Sequence, residues 1–240
     1  MTLKSLMGAA AKRSMFIGKI REKFVDKYPQ FVYFPSYSQW GEDAVLSQYL
    51  HESKGNYIDI GSGHPILGNN TYFLYRRGWS GVLVDPILTN VKLSRRYRKR
   101  DTVFNNICSD ISSPITFYEF NSYGYSTANE QRAESLVNDG LKIKEKYQVS
   151  SISLSSIIAT NYQNSRELPA LLSIDVEGLE LEVLRSNNWS VYKPKVICIE
   201  ILDGSQNNGG NISHFLASQN YSLKASCGNS KIFCLDQSPK

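Results

Sequence analysis

No apolar run in the 240-residue chain approaches the ~18 residues of a helical membrane span, so a transmembrane helix is excluded. Cysteine is scarce. The four present (Cys108, Cys198, Cys227 and Cys234) show neither a CxxC pair nor zinc-finger spacing. Cys108 and Cys198 lie in apolar, strand-like runs and read as buried thiols. Cys227 and Cys234 could face each other across a terminal hairpin, and pairing them would need an oxidising compartment. Eight prolines and sixteen glycines are too few for a collagen-like or low-complexity chain. The only apolar stretch near the N-terminus, residues 6–11, is short and runs straight into basic residues, unlike a secretory signal. The chain reads as cytoplasmic, and at this length a single core needs no disulfide or metal to hold it.

Charge is present but unevenly placed. The whole chain carries +5. Residues 1–27 hold Lys4, Lys12, Arg13, Lys19, Arg21, Lys23 and Lys27 against only Glu22 and Asp26. Residues 92–100 add Lys92, Arg95, Arg96, Arg98, Lys99 and Arg100 with no acid. The remainder is therefore acidic. Leu3, Leu6, Met7, Ala10, Ile17, Ile20 and Phe24 recur at three- and four-residue steps, predicting a basic amphipathic helix. Together the two segments suit peripheral contact with an anionic membrane. Nucleic-acid phosphates are the second reading, opposed by the acidic remainder and by the lack of an RNA-binding module. No pattern sets an oligomeric state.

From residue 36 onward, short apolar runs alternate with helical segments. NYIDI (Asn56–Ile60), GVLV (81–84), residues 103–108, ITFYEF (Ile115–Phe120), LLSI (Leu171–Ile174) and residues 195–201 read as strands. Helices are expected over 42–51, 70–77, 87–99, 154–160, 177–187 and 212–218, with helical character after Asn129. Residues 204–210 read as a flexible Gly/Asn loop, and 221–226 with 231–235 as a hairpin across Gly228-Asn229. Such alternation predicts an α/β fold, a doubly wound, mostly parallel sheet with an antiparallel last strand.

In that architecture ligands bind beyond the carboxyl ends of the strands. The acids expected there are Asp59, Asp85, Asp110, Asp175 and Glu200. Asp59 opens the turn Gly61-Ser62-Gly63, where glycines allow a close backbone approach. Asp85, followed by Pro86, is placed to accept both hydroxyls of a ribose, and Asp59 suits a cationic ligand group. An acid paired with a cation fits S-adenosyl-L-methionine better than a dinucleotide pyrophosphate.

The segments SQWGED (38–43), YIDIGSGHP (57–65), NNTYFLYRRGWSGVLVDP (69–86), NICSD (106–110), LLSIDVEGLELEVL (171–184) and PKVICIE (194–200) occur in this order. In these the chain resembles the FkbM family of S-adenosylmethionine-dependent methyltransferases. The resemblance implies a seven-stranded class I methyltransferase domain over residues 36–240, with residues 1–35 as the added N-terminal helix and connector. It implies methyl transfer to a hydroxyl oxygen of a sugar, polysaccharide intermediate or secondary metabolite. It maps Asp59, Gly61, Ser62 and Gly63 to the cofactor loop, Asp85 and Pro86 to the ribose, and Asp110 to the adenine edge. Gln39 and Asp43 map to an element covering the cofactor, and Asn70 to a position facing the site. The Asp-Val-Glu-Gly that follows LLSI, in place of an Asp/Asn-Pro-Pro-Tyr/Phe motif, argues against adenine-amino methylation.

An alcohol acceptor needs a group to take its proton. The candidates are His64, Asp175, Glu177, Glu200, Asp203 and His214, with Asp175 preferred, His64 its competitor and Glu200 beside it. Asp175, Glu200 and Asp203 could instead hold Mg²⁺ or Mn²⁺. Glu177, Glu180 and Glu182 otherwise read as a solvated acidic stripe. An RNA or nucleotide ribose methyltransferase and a non-catalytic cofactor-binding module are the competing functions.

Overall fold

The computed structural model describes residues 36–111, 114–122, 124–165, 167–201 and 208–236. The predicted N-terminal helix and connector, Asp203 and most of the 204–210 loop lie outside the described residues.

The described chain begins with α1 (Glu42–Leu46), β1 (Asn56–Ile60), α2 (Tyr72–Arg76), β2 (Ser80–Val84), α3 (Leu88–Tyr97) and β3 (Thr102–Phe104). Its middle holds β4 (Ile107–Cys108), β5 (Ile115–Phe120), α4 (Glu130–Asn138), β6 (Ile143–Val149), β7 (Ser151–Ile152) and α5 (Leu154–Tyr162). It finishes with β8 (Leu171–Ile174), α6 (Glu180–Arg185), β9 (Val196–Glu200), α7 (Asn208–Ser218), β10 (Tyr221–Cys227) and β11 (Ser230–Leu235).

Seven strands form one sheet in the order β10-β11-β9-β8-β1-β2-β3. The five from β9 to β3 are parallel, and β11 runs antiparallel to both its neighbours. The expected doubly wound sheet is thus present, with its switch point between β1 and β8. Because β1 has period two, Tyr57 packs with Leu46, Leu50, Leu74 and Trp79 on the α1–α2 face. Ile58 and Ile60 join Leu154, Ile157, Leu181, Ile212 and Leu216 on the face covered by α5, α6 and α7. Burial on both faces explains why these strands read as continuous apolar runs.

Three expectations change, and one strand is found where none was expected. Residues 103–108 are two strands: Asn105 Nδ2 donates to Asp85 O (3.0 Å) and Pro86 O (2.9 Å), and β4 then pairs with β7 in a separate ladder. The exposed strand β6 pairs antiparallel with β5, although its sequence IKEKYQV shows no apolar period. Residues Asn208, Gly209 and Gly210 open α7 and are not loop. Finally, Cys227 lies opposite Ser230 and Cys234 opposite Ser222, so the two thiols are out of register and free.

Candidate functional site

The parallel strands bring four of the five predicted acids to one sheet edge: Asp59 in β1, Asp85 after β2, Asp175 after β8 and Glu200 ending β9. Asp110 does not join them. It is exposed and follows β4, outside the seven-stranded sheet, because the Asn105 bonds turn the chain away after β3.

The glycine turn is held from both sides. Gly61 N and Ser62 N donate to Val84 O at 2.9 and 3.2 Å, and Gly63 N donates to Asp85 Oδ2 at 2.8 Å. Gly61 has φ +74, and a Cβ there would stand 1.8 Å from Asp175 O, so only glycine lets the turn lie against the end of β8. Asp85 Oδ1 accepts from Ile87 N (2.8 Å) and Asn90 Nδ2 (3.2 Å). A carboxylate has about four lone-pair positions, so acceptor capacity remains for a ligand. Burial, only partly offset by these bonds, pushes the Asp85 carboxyl up to about 7. Asp59 is buried beneath the turn, and its Oδ2 accepts from Thr71 Oγ1 (2.7 Å) and Asn69 Nδ2 (3.1 Å). It acts as a pillar under the loop, with Oδ2 already engaged by protein. Ser62 Oγ is buried and finds no partner among the described residues.

The SQWGED segment packs against the same region. Asp43 accepts from Ser36 Oγ (2.8 Å), Ser38 Oγ (3.0 Å) and Tyr37 N (2.7 Å), so its carboxylate shapes its own loop. Tyr37 O in turn accepts from Asn69 N at 3.0 Å. Glu42 fastens the segment to the terminal hairpin through Ser230 Oγ, at 2.8 Å. Gln39 is exposed. Asn70 Nδ2 faces Ser173 Oγ (3.5 Å) of β8 and Cys198 Sγ (3.8 Å) of β9.

Asp175, Glu177 and Glu200 offer oxygens that all lie within 4.8 Å of one another. Glu177 thus stands beside Asp175 and Glu200, while Asp203, the third ligand expected from the sequence, lies outside the described residues. Glu177 precedes α6 with φ 56, a left-handed conformation unusual for a side-chain-bearing residue. Two side chains some fifty residues upstream clasp that turn: Thr127 Oγ1 donates to Glu177 O (2.7 Å) and Asn129 Nδ2 to Gly178 O (2.9 Å). Arg132 Nη2 reaches Glu177 Oε2 at 3.4 Å. Nothing in the spacing of Thr127 or Arg132 announces this role. Asn129 is visible only as the cap of α4.

Burial and mutual repulsion raise every carboxyl in this group. Asp175 is pushed well above its ordinary range by burial, then by Glu200, Glu177 and Glu180. Burial followed by Glu200 lifts Glu177 to about 8, with Arg132 opposing. Glu200 is raised chiefly by burial. Carboxylates this close repel one another when ionised, so the group favours keeping a proton among its members.

Glu180, expected on a solvated stripe, is buried, accepts from Gly178 N at 2.9 Å and rises to about 7 through burial. Between about pH 4.5 and 7 the folded protein keeps a proton that the unfolded chain releases, so Glu180 lowers stability as pH rises. Glu180→Gln is expected to raise the melting temperature at pH 8 by about 5 °C, on the order of 2 kcal/mol. At pH 4 it should leave it unchanged. Thermal denaturation across pH checks this, and equal shifts at both pH values would refute it.

Two histidine candidates fare differently from Asp175. His64 is buried and its Nδ1 is engaged, accepting from Ile66 N (3.1 Å) and Leu67 N (3.0 Å). His214 is exposed on α7. In the basic run 92–100 only Arg98 departs from the surface and is fully buried; Lys92, Arg95, Arg96, Lys99 and Arg100 are exposed, with Arg95 donating to Val103 O and Arg100 stacked on Tyr75. A groove of about 330 Å³ lined by Glu52, Asn56, Trp79 and Ala170 lies at the opposite, amino end of β1 and β8, away from these acids.

A profile of the methyltransferase FkbM domain matches residues 59–223, from the β1 acid into β10. The chain belongs to the FkbM methyltransferase family. It is thus an S-adenosylmethionine-dependent methyltransferase, as the order of its motifs implies. Comparison with curated proteins found no match. Among solved structures, it is similar to a TehB-like methyltransferase from Corynebacterium glutamicum, at 9% identity and TM-score 0.44, covering 95% of this chain and 100% of that one. It is also similar to the 1,6-didemethyltoxoflavin-N1-methyltransferase of Burkholderia thailandensis, at 10% identity and TM-score 0.42, covering 95% and 87%. The FkbM chain's own residues fit the cofactor. Gly61 and Gly63 place no Cβ in the turn, Ser62 Oγ is buried with no partner among the described residues, and Asp85 keeps acceptor capacity. Among the described residues, no helix is long and apolar enough to cross a membrane.

Proposed function

We propose that this protein methylates a hydroxyl oxygen of a sugar, a polysaccharide intermediate or a secondary metabolite, and that Asp175 takes the hydroxyl proton. S-adenosylmethionine supplies, when bound, an electrophilic methyl on a sulfonium. The residues around it hold the acceptor oxygen and remove its proton as the O–CH₃ bond forms and the S–CH₃ bond breaks. One observation carries the reading: the half-buried Asp175 follows β8 directly behind the glycine turn, grouped with Glu177 and Glu200, and its carboxyl is pushed well above the ordinary range by desolvation and by these neighbours. A carboxylate so destabilised in its charged form is a stronger base than a solvated one. A Glu200 oxygen within 4.8 Å gives the proton an onward acceptor.

A second reading uses the same oxygens. Asp175, Glu177 and Glu200 have the hard donor set that Mg²⁺ or Mn²⁺ takes, and such an ion would acidify the acceptor hydroxyl directly. One experiment separates the two: labelled S-adenosylmethionine is incubated with extracted glycan intermediates, with and without EDTA, and the methylated sugar is identified. Label on a sugar oxygen that survives chelation is the expected result. Loss of transfer on chelation, restored by Mg²⁺ or Mn²⁺, favours the metal. Label appearing only in RNA would replace the acceptor class.

A further inference from the structure

Arg98 lies in the stretch that the sequence presents as a basic surface, yet its side chain is wholly buried. A guanidinium has five N–H donors, and here each has an acceptor. Nε donates to Asp101 Oδ2 at 2.8 Å. Nη1 donates to Pro65 O (3.0 Å) and Asn69 Oδ1 (3.1 Å), and Nη2 to Tyr57 OH (2.8 Å) and Thr71 Oγ1 (3.0 Å). The rings of Tyr57, Tyr72 and Tyr75 surround the cation, with Cζ 5.5, 5.5 and 4.8 Å from their centroids.

A guanidinium cannot accept, so it dictates which way its neighbours point. Asn69 turns its oxygen to Arg98, and its amide nitrogen must then face Asp59 Oδ2 (3.1 Å) and Ser62 O (2.9 Å). Thr71 Oγ1 accepts from Nη2, and of the two acceptors within reach of its own proton the carboxylate Asp59 Oδ2 at 2.7 Å is nearer than Asn69 Oδ1 at 3.1 Å, which already accepts from Arg98. Neither relay can reverse while Arg98 is present. The bonds to Pro65 O and, through Asn69, to Ser62 O bracket the glycine turn; burial raises the Asp59 carboxyl, and the Thr71 and Asn69 donors with the Arg98 charge oppose that rise.

We propose that Arg98, acting through Asn69 and Thr71, is a positioning residue for cofactor binding: it holds the Gly61-Ser62-Gly63 turn and Asp59 in the conformation that receives S-adenosylmethionine. This rests on assigning that turn and Asp85 to the cofactor. Lysine could not replace it, because three donors radiating from one point cannot reach Pro65, Asn69, Tyr57, Thr71 and Asp101 together.

The test uses Thr71→Val, which keeps the side-chain shape but removes the proton given to Asp59, together with Thr71→Ser and Arg98→Lys. Calorimetric cofactor affinity, kcat, KM and melting temperature are measured on the folded proteins. Thr71→Val and Arg98→Lys are expected to weaken cofactor binding and raise its KM by about tenfold or more. With saturating cofactor, kcat should stay within about twofold of the parent. Thr71→Ser should restore affinity. If Arg98→Lys fails to fold, Thr71→Val decides alone. Parental affinity in folded Thr71→Val, or a loss confined to kcat, overturns the proposal. Asp85→Ala in the same series separates the two ideas. If it loses binding while Thr71→Val does not, only the Arg98 relay falls. If both bind normally, the assignment of the cofactor site falls with it.

Discussion

Asp175→Asn is expected to lower kcat by about 10²–10⁴-fold, the usual contribution of a positioned general base, while cofactor affinity stays within a few-fold. The geometry permits that separation. Gly61 packs against the backbone carbonyl of Asp175, and Asp175 N donates to Ile60 O at 2.9 Å. Asparagine keeps both contacts and changes only the atom that must accept a proton. Removing a carboxyl from a group in which burial and like charges raise every member should also relieve repulsion, so the melting temperature at neutral pH should not fall. Single-turnover kinetics with labelled cofactor, beside calorimetry, measures both quantities. Normal turnover in the folded variant would move the base to Glu177, Glu200 or His64.

Asp85→Ala carries the second large effect, a loss of cofactor affinity of about 10²-fold or more, as expected for hydrogen bonds to one buried charged acceptor. The alanine also frees Gly63 N and Ile87 N, so part of the loss would come from the turn itself. Asp85→Asn distinguishes the parts. It keeps one oxygen for these amides but cannot accept on both sides, so its affinity should fall between those of parent and alanine. Calorimetric titration with S-adenosylmethionine checks this, and unchanged affinity in either variant would end the ribose assignment.

Local pattern made much of this molecule legible. β1, β5 and β8 run over the residues that their apolar runs mark, and the terminal hairpin turns at Gly228-Asn229. Four strand-end acids stand at the edge where parallel strands must end. Where contacts are distant in sequence, legibility failed. β6 is an exposed strand whose partner β5 supplies its hydrogen bonds, so its own residues carry no alternation to read. Asp110 was misplaced because Asn105, bonding to Asp85 O and Pro86 O, ends β3 early. Arg98 looked like a surface cation because its charge is visible in sequence, whereas its acceptors on residues 57, 65, 69, 71 and 101 are not.

The sequence by itself determined the class of protein. Hydrophobic period, glycine position and motif order specify a doubly wound methyltransferase domain, and they do so locally, within windows of a few residues. Only the tertiary structure decided which acids act together. Glu177, read as a solvated residue, is turned inward by a left-handed backbone that Thr127 and Asn129 hold from fifty residues away. Burial then raises its carboxyl and those of Asp175 and Glu200, and burial is a property of the packed chain that no short stretch of residues contains.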